Sequence, residues 1–398
     1  TRTQERIVWG GWLVGIIFFI LGLGTLLPWN FFMTASMYFN SRLNKTEWSN
    51  GTVVSHKEYY FNNWMTLLSQ LPLLLCTLLN SFFYQRISEM VRIAGSLVFI
   101  FILFILTAIL VKIPMEEDRF FSVTMATIWF INSFGAVLQG SLFGLVGLLP
   151  QKYSAVFMSG QGLAGTFAAI AMLASIASDT DPETAALGYF ITPCVGTLIT
   201  LLSYLLLPRL VKRLSMGEFP LYFLPCPSLS LQIWVMAFCV VFVFTVTLAV
   251  FPAITVDVKT IYPGKWEPYF ISVCCFLIFN VCDWIGRTVT TLVQWPPKES
   301  FLFPVLVVSR VVFVPLLMFC NVQRRSYFPV LFSHDAAFAF IMTLFSLSNG
   351  YCVCLSMSYA PQLVAPKDAE TAGALMTFFL ALGLSIGAAL SFLLRLLV

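Results

Sequence analysis

The sequence predicts an all-α polytopic membrane protein with eleven transmembrane helices. Of its 398 residues, 59% are hydrophobic and only 10% are charged, whereas a soluble protein carries roughly 25% charged residues. The apolar residues fall into runs of about 20 residues, the length that an α-helix needs to cross a bilayer. The net charge of +4 is small and spread over the loops, so it does not indicate a nucleic-acid partner.

Ten cysteines and two histidines are the candidate ligands for a metal ion. Most of the cysteines lie inside apolar runs, where cysteine behaves as a small apolar residue. The sequence has no Cys-x-x-Cys pair, and His56 and His334 lie far apart in it. We therefore expect neither a metal site nor a cofactor. We also expect no cleavable signal peptide, because the first apolar run is too long and lacks a small-residue cleavage site.

Charged or turn-rich segments divide the chain into eleven apolar runs. Segment 208–230 is basic at its start and rich in proline, which is typical of a cytoplasmic linker. It separates an N-terminal six-helix bundle, residues 1–207, from a C-terminal five-helix bundle, residues 231–398. The runs are 8–38, 62–83, 91–112, 121–149, 154–177, 186–207, 231–252, 268–295, 301–320, 336–361 and 371–398.

The two bundles share a weak internal symmetry. A proline interrupts run one at Pro28 and run seven at Pro252, and runs two and eight each place asparagine beside aromatic residues, at 61–64 and 279–284. Proline-interrupted helices in corresponding positions of two halves point to a transporter with a central site. We therefore predict a 6+5 arrangement of two pseudo-repeats.

Run eight carries the most informative polar residues. Asp283 and Arg287 are four residues apart, so a helix places both on one face, which Asn280 shares. A charge at bilayer depth costs about 2.5–3.5 kcal/mol on insertion scales, so it normally pairs and faces a bundle interior or a water-filled cavity. The residues alone leave two interpretations open. The pair only joins two helices, or it binds a polar organic ligand, which we favour.

Other polar or aromatic residues inside the runs have two interpretations each. Gln139 in run four either hydrogen-bonds a neighbouring helix or contacts a ligand. Trp29 and Met33 share one face of run one and either meet lipid or line the site. Arg310 is a third charge inside a span, and its partner cannot be named from the sequence. Its long side chain is able to snorkel towards the cytoplasmic end of its helix.

Run five contains a G-x-G-x-x-G pattern at Gly160, Gly162 and Gly165. The dinucleotide fingerprint needs a preceding strand and a βαβ unit. Here the pattern lies inside an apolar helix, so we reject the nucleotide interpretation. The glycines are instead interpreted as a helix-packing face that carries Gln161.

The loop 40–60 holds two N-glycosylation sequons, at Asn44 and Asn50. Two sequons in one loop between membrane spans predict that this loop is extracellular. The N-terminus is then cytoplasmic and, with eleven spans, the C-terminus is extracellular. Lysine and arginine in the loops of the first half favour this orientation and those of the second half oppose it. The first half receives more weight because early helices usually dominate.

Several motifs are long enough to be specific. They are L-G-L-G-T-L-L-P-W-N-F-F-M (21–33), F-N-N-W-M-T-L-L-S-Q-L-P-L-L-L (61–75), L-Q-G-S-L-F-G (138–144), S-G-Q-G-L-A-G (159–165), F-P-A-I-T-V (251–256), D-W-I-G-R (283–287) and S-N-G-Y (348–351). In these motifs, which span nearly the whole chain, the sequence closely resembles the equilibrative nucleoside transporter family. It resembles the type 2 branch more than the type 1 branch. The resemblance implies a fold similar to major-facilitator transporters that lack a twelfth helix.

The resemblance also implies a function and a site. The function is facilitative transport of nucleosides such as adenosine and uridine, and of nucleobases, across the plasma membrane by alternating access. Adenosine-reuptake inhibitors are expected to reach the same cavity. A nucleoside needs aromatic walls and a few placed polar groups. By resemblance, a slot for the base is walled by Trp29, Leu73, Phe251 and Phe276. Gln139 is expected to hydrogen-bond the base edge and Gln70 to make the pocket more polar, while the ribose hydroxyls are addressed by Asn280, Asp283 and Arg287. Met33 and Pro252 are expected to lie near an extracellular gate.

The balance of charges favours transport without ion coupling. Asp283 is the one carboxylate clearly inside a run, and Arg287 is placed to neutralise it, whereas proton-driven carriers more often use an unpaired acid or a histidine. The main alternative is a proton-coupled nucleoside or sugar transporter. A membrane-embedded enzyme is disfavoured because no run carries paired acids, a histidine or a metal cluster. A receptor or scaffold is disfavoured by the two pseudo-repeats.

The linker departs from the pattern of the family. Segment 208–230 is shorter than the loop that the family normally has between spans six and seven, so we interpret it as a truncated loop. Regulatory phosphorylation assigned to that loop is not carried over.

Overall fold

The structure is a computed structural model of the chain. It describes residues 2–43, 48–49, 52–53, 61–83, 86–178, 181–214, 229–262, 264–323, 329–365 and 368–397. The sequons at Asn44 and Asn50 and most of the linker lie outside the described residues.

The described residues are mainly helical, which confirms the predicted all-α class. A short antiparallel pair of strands, β1 (Trp48–Ser49) and β2 (Thr52–Val53), interrupts the helices early in the chain. The helices are α1 (Arg2–Thr34), α2 (Ser36–Leu43), α3 (Phe61–Phe83), α4 (Glu89–Lys112), α5 (Glu117–Gly147), α6 (Gln151–Ala177), α7 (Pro182–Leu214), α8 (Leu229–Val250), α9 (Glu267–Phe270), α10 (Ile278–Val289), α11 (Leu302–Ser309), α12 (Phe313–Met318), α13 (Asp335–Tyr359) and α14 (Ala369–Leu397).

Within the described ranges, nine helical segments are long and apolar enough to cross a membrane. Two shorter apolar helices lie at Leu67–Phe83 and Leu302–Met318. Large apolar side chains such as Trp12, Phe82 and Leu292 are exposed on the outside of the bundle. A surface of this kind is stable against lipid, where no hydrophobic penalty applies, but not in water.

Two of the predicted runs are less regular than a single α-helix. Run 268–295 begins as α9, continues as a π-helix over Ile271–Leu277 and ends as α10 at Val289. Run 301–320 is broken by a 3₁₀ turn at Arg310–Val312, between α11 and α12. Hydropathy detects the length of a helix but not its hydrogen-bond period, so neither break was predicted.

We call the helices before and after segment 208–230 the first and second halves of the chain. They pack closely at the end where α5 leads into α6 and α13 leads into α14, which we name the closed end. There α6 packs against α10 and α13, and α14 packs against α3 and α5. The hydroxyl groups of Ser154 on α6 and Ser358 on α13 are 3.1 Å apart. A side chain on Gly373 of α14 would collide with the backbone carbonyl of Phe143 on α5.

The buried apolar clusters agree with closure at one end. The largest cluster includes residues of both halves near the closed end, for example Phe143 and Tyr359. A second cluster, which includes Val250, Phe270 and Phe338, belongs to the second half alone. The halves therefore share a core at the closed end, and the second half has a core of its own towards the opposite end.

Candidate functional site

A buried ion pair on α10 forms the centre of the site. The Nε of Arg287 donates to the Oδ2 of Asp283 over 2.7 Å, one helical turn away. Asp283 is 6% exposed and Arg287 is 7% exposed. A buried pair with this geometry is stable only when its remaining polar atoms are also satisfied.

Each member of the ion pair also forms a hydrogen bond with an amide side chain. The Nδ2 of Asn349 on α13 donates to the Oδ1 of Asp283 over 2.7 Å. The Nη1 of Arg287 donates to the Oε1 of Gln161 on α6 over 3.4 Å. The Nε2 of Gln161 in turn donates to Thr25 on α1 over 3.0 Å. The ion pair therefore lies at the interface between the two halves, with hydrogen bonds to both.

Glycines let the helices approach closely enough for these contacts. A Cβ atom on Gly350 of α13 would meet the backbone carbonyl of Asp283, and one on Gly286 of α10 would meet the backbone carbonyl of Leu347. Backbone atoms cannot rotate out of the way as a side chain can. Because α10 and α13 meet at these glycines, the adjacent Asn349 is close enough to reach Asp283.

The glycines of run five form the packing face that the sequence predicted. A side chain on Gly160 would meet the backbone of Phe19 on α1, and one on Gly165 would meet Asn280 on α10. Gln161 is 2% exposed between these helices. The nucleotide interpretation of this pattern has no structural counterpart, because it lies within α6.

An aromatic cluster lies next to the pair. Phe251 follows α8 directly and stacks on Phe279 of α10, with ring centroids 3.9 Å apart and planes 9° apart. Phe276 meets Phe251 edge-on at 5.8 Å and belongs to the π-helical segment. π-Helical turns are frequent at functional sites. The family resemblance implied Phe251 and Phe276 as walls of a slot for the base, and the structure places the ring of Phe279 against Phe251.

Asn280 is oriented differently from the other polar residues of α10. Its Nδ2 donates to the backbone carbonyl of Phe276 over 2.9 Å, and its Oδ1 lies against Gly165. Thr166 donates to the backbone carbonyl of Asn280 over 3.0 Å. The side chain thus lies at the α6–α10 contact, between the aromatic cluster and the ion pair.

Two further amide side chains, those of Gln70 and Gln139, lie on helices of the first half. The Oε1 of Gln70 on α3 is buried and, within the described part of the chain, has no hydrogen-bond partner. Gln139 on α5 is 7% exposed. An unpaired buried amide oxygen costs free energy unless a ligand or water satisfies it. The other predicted residues are partly buried: Trp29, Met33, Leu73 and Pro252.

Arg310 does not snorkel to a helix end, which corrects the sequence-based expectation. Its side chain is 1% exposed. It donates to Ser348, Thr247 and two backbone carbonyls inside the second half, over 3.1–3.3 Å. Snorkelling is a response to unsatisfied charge, and here the bundle supplies enough acceptors.

Some residues of this site were missed by the sequence analysis. Asn349 lies in the S-N-G-Y motif, and an amide in the middle of an apolar run was a usable signal. Gln161 was recognised only as part of a packing face. Thr25 and Thr247 gave no signal, because threonine in a membrane helix usually bonds its own backbone.

Comparison with known proteins identifies the family. Residues 125–218 and 210–396 match the family described as "Nucleoside transporter". The chain belongs to the nucleoside transporter family. Its relatives are transporters and not enzymes.

The relatives of this transporter belong to the equilibrative branch. It is 52% identical to equilibrative nucleoside transporter 2 of Rattus norvegicus, over 96% of this chain and 97% of the relative. Identity to equilibrative nucleoside transporter 2 of Homo sapiens is 50% over the same shares. Identity to the human equilibrative nucleoside transporter 1 is 47%, over 96% of each chain. The predicted similarity to type 2 over type 1 is confirmed.

Solved structures place the transporter in a wider fold class. The major-facilitator transporter FucP in an outward conformation superposes with a TM-score of 0.56 and 12% identity, over 98% of this chain and 91% of that chain. A variant of the Escherichia coli fucose–proton symporter FucP gives a TM-score of 0.51 and 13% identity, over 96% and 91%. These likenesses concern the fold alone and confirm its major-facilitator type.

Proposed function

We propose that this chain carries nucleosides across the plasma membrane by facilitative, ion-independent transport. Relatives that share about half of its residues over nearly its full length are named equilibrative nucleoside transporters. The observation that carries the proposal is the ion pair of Asp283 and Arg287, which is buried where the two halves meet. Both halves therefore contact one central polar site, as a carrier requires.

The roles at this site follow from what a nucleoside offers. The aromatic plate of the base suits Phe251 and Phe276, with Trp29 and Leu73 opposite. The hydroxyl groups of the ribose suit Asp283 and Arg287, because charged groups form the stronger hydrogen bonds. The neutral amide of Asn280 is proposed as a third partner of these hydroxyls. The amide of Gln139 is proposed to hydrogen-bond the base edge, and the amide of Gln70 to make its side of the pocket more polar.

Ion independence follows from the neutrality of the pair. Arg287 and Asp283 balance each other, and each has a further amide partner. To take up a proton, Asp283 would have to leave Arg287 as an uncompensated buried charge, which costs several kcal/mol. The pair is therefore suited to binding a neutral solute and unsuited to carrying a proton.

Alternating access would move the two halves about this site. In the part of the chain that the structure describes, nine long helices and two shorter apolar ones support eleven spans in a 6+5 arrangement. With the N-terminus cytoplasmic and the C-terminus extracellular, the closed end faces the cytoplasm. Substrate would then enter from outside past Met33 and Pro252, and the contacts at the closed end would break to release it.

Four further features belong to this proposal by resemblance. Nucleobases are proposed as additional substrates, and adenosine-reuptake inhibitors as ligands of the same cavity. Asn44 and Asn50 are proposed as glycosylated extracellular residues. Segment 208–230 is proposed as a shortened loop. Two observations support the shortened loop. One alignment extends over 441 positions although this chain has 398 residues, and the family match divides into 125–218 and 210–396, which meet in this segment.

Counterflow tests transport directly. Purified protein in proteoliposomes is loaded with unlabelled uridine and diluted into radiolabelled uridine without any ion gradient. A carrier is expected to give a transient overshoot of label, which external hypoxanthine reduces if nucleobases share the site. Uptake that is linear in uridine concentration, with no overshoot, would contradict a carrier.

A further inference from the structure

Arg310 is the most deeply buried charged residue in the described part of the chain, at 1% exposure. Its Nε donates to Ser348 over 3.1 Å and its Nη1 to the backbone carbonyl of Val243 over 3.1 Å. Its Nη2 donates to Thr247 over 3.1 Å and to the backbone carbonyl of Phe345 over 3.3 Å. None of these partners is a carboxylate.

The four neutral acceptors satisfy the guanidinium of Arg310 and also connect it to the site. Within the described ranges Asp283 is the buried carboxylate to which a hydrogen-bonded path from Arg310 leads, through Thr247 and Asn349. The Thr247 hydroxyl lies 2.7 Å from the Oδ1 of Asn349, and the Nδ2 of Asn349 lies 2.7 Å from the Oδ1 of Asp283. Arg287 therefore pairs directly with Asp283, whereas Arg310 is linked to the same carboxylate only through two neutral side chains.

Chemistry fixes the direction of every hydrogen bond on this path. The carboxylate of Asp283 only accepts, so Asn349 presents its NH₂ group to it and its carbonyl oxygen to Thr247. The Thr247 hydroxyl lies 2.8 Å from the backbone carbonyl of Val243 and 2.7 Å from the Oδ1 of Asn349. Because the Val243 carbonyl already accepts from Arg310, the single proton of Thr247 is assigned to Asn349. The lone pairs of Thr247 are free to accept from Arg310, which only donates.

We propose that Arg310 is a positioning residue for Asp283 and acts through Thr247 and Asn349. The guanidinium holds the Thr247 hydroxyl as a donor towards Asn349, and Asn349 is thereby locked with its NH₂ group on Asp283. This fixes the carboxylate in one rotation, with the same lone pairs always presented to the ribose hydroxyls. The inference rests on the role proposed above for Asp283.

The 3₁₀ turn at Arg310–Val312 favours a positioning role for Arg310 over a purely structural one. A 3₁₀ break inside a helix marks strain or a hinge, and Arg310 begins this one. The turn directs the guanidinium between α8 and α13, where Thr247 and Ser348 lie.

The test compares two ligands that differ only in their hydroxyls. The KM of radiolabelled uridine and the inhibition constant of 2′,3′-dideoxyuridine are measured in proteoliposomes. Their ratio reports hydroxyl recognition and is insensitive to how much protein is active. Thr247→Val keeps the side-chain shape and leaves Arg310 in place, so it breaks the path with the least damage to folding.

Thr247→Val is expected to raise the uridine KM about tenfold, the order of one hydrogen bond to a charged group, and to leave the dideoxyuridine constant nearly unchanged. Thr247→Ser keeps the hydroxyl and should retain the wild-type ratio. Arg310→Gln should change the ratio in the same direction as Thr247→Val, and Arg310→Lys should change it less.

The control is Arg42→Gln. Arg42 also donates to several carbonyls, those of Leu110, Val111 and Ile113 at the end of α4, but it is not connected to Asp283. It should lower thermal stability and leave the ratio as in wild type.

Two outcomes would overturn the proposal, and they differ from each other. If Thr247→Val and Arg310→Gln leave the ratio unchanged while Asp283→Asn abolishes the preference for uridine, Arg310 is only structural. If Asp283→Asn also leaves the ratio unchanged, the ribose role of Asp283 fails and the positioning role fails with it.

Discussion

The carboxylate of Asp283 accepts one hydrogen bond on each oxygen, from Arg287 and from Asn349. Asp283→Asn keeps the shape of the side chain but removes its charge, which leaves Arg287 unpaired in a buried site. Hydrogen bonds to charged groups contribute about 1.5–3 kcal/mol, which corresponds to roughly 10–150-fold in affinity. We expect the uridine KM to rise by at least about tenfold, measured as initial uptake normalised to surface protein.

The matched control is Asp257→Asn. Asp257 pairs with Arg395 over 2.7 Å in the same half of the molecule, but the two side chains are 39% and 31% exposed. An exposed pair contributes about 0–1 kcal/mol, so the uridine KM should stay close to wild type. Normal uridine transport by Asp283→Asn at the cell surface would refute the ribose role.

Phe279 supports the proposed wall of the base slot, because its ring stacks on Phe251. Aromatic pairs contribute about 0.5–1.5 kcal/mol beyond their buried area. Phe279→Leu should therefore raise the KM of uridine and of a nucleoside without ribose hydroxyls by the same factor, about two- to tenfold. Competition uptake with 2′,3′-dideoxyuridine measures this.

A second stacked pair supplies the control for Phe279. Phe99 and Phe134 stack with centroids 4.7 Å apart in the first half, and Phe99 is 51% exposed on the outer surface. Phe99→Leu should leave both constants unchanged. A larger effect of Phe279→Leu on uridine than on the dideoxy compound would contradict a role in base stacking.

At the scale of helices, α10 and α13 cross where Gly350 meets the backbone of Asp283. Gly350→Ala inserts a methyl group against a carbonyl that cannot rotate away, and overpacking of this kind costs about 1–3 kcal/mol. The helices must separate, which also draws Asn349 away from Asp283. We expect a lower melting temperature of the detergent-solubilised protein together with a higher uridine KM.

The control for helix packing is Gly188→Ala on α7. A Cβ atom there meets nothing within 4 Å, and alanine is favoured over glycine inside a helix by roughly 0.5–1 kcal/mol. Its melting temperature should equal or slightly exceed that of the wild type. If Gly350→Ala behaves like Gly188→Ala, the close crossing of α10 and α13 is not required.

The helical elements were largely predictable and their irregularities were not. Helix α4 was predicted as 91–112 and observed as Glu89–Lys112, because a run of apolar residues between charged ends defines a span. The π-helical segment Ile271–Leu277 has no comparable signal. Its hydrogen-bond pattern depends on how α10 packs against α6 and α13, which a single sequence does not contain.

At the scale of the whole molecule, one path of hydrogen bonds joins the two halves. It runs from Thr25 through Gln161 to Arg287 and Asp283, and the path from Arg310 ends on the same carboxylate. The i, i+4 spacing predicted the central pair. The partners were not predictable, because they come from residues more than sixty positions away and depend on tertiary packing.

The central claim is that the neutral pair makes transport independent of ions. It is tested most directly by the steady-state ratio of internal to external radiolabelled uridine in proteoliposomes, with and without an imposed pH gradient. The account predicts equal concentrations on both sides in both conditions. Accumulation of uridine that follows the proton gradient and collapses with a protonophore would contradict it, and would make Asp283 a proton-binding site.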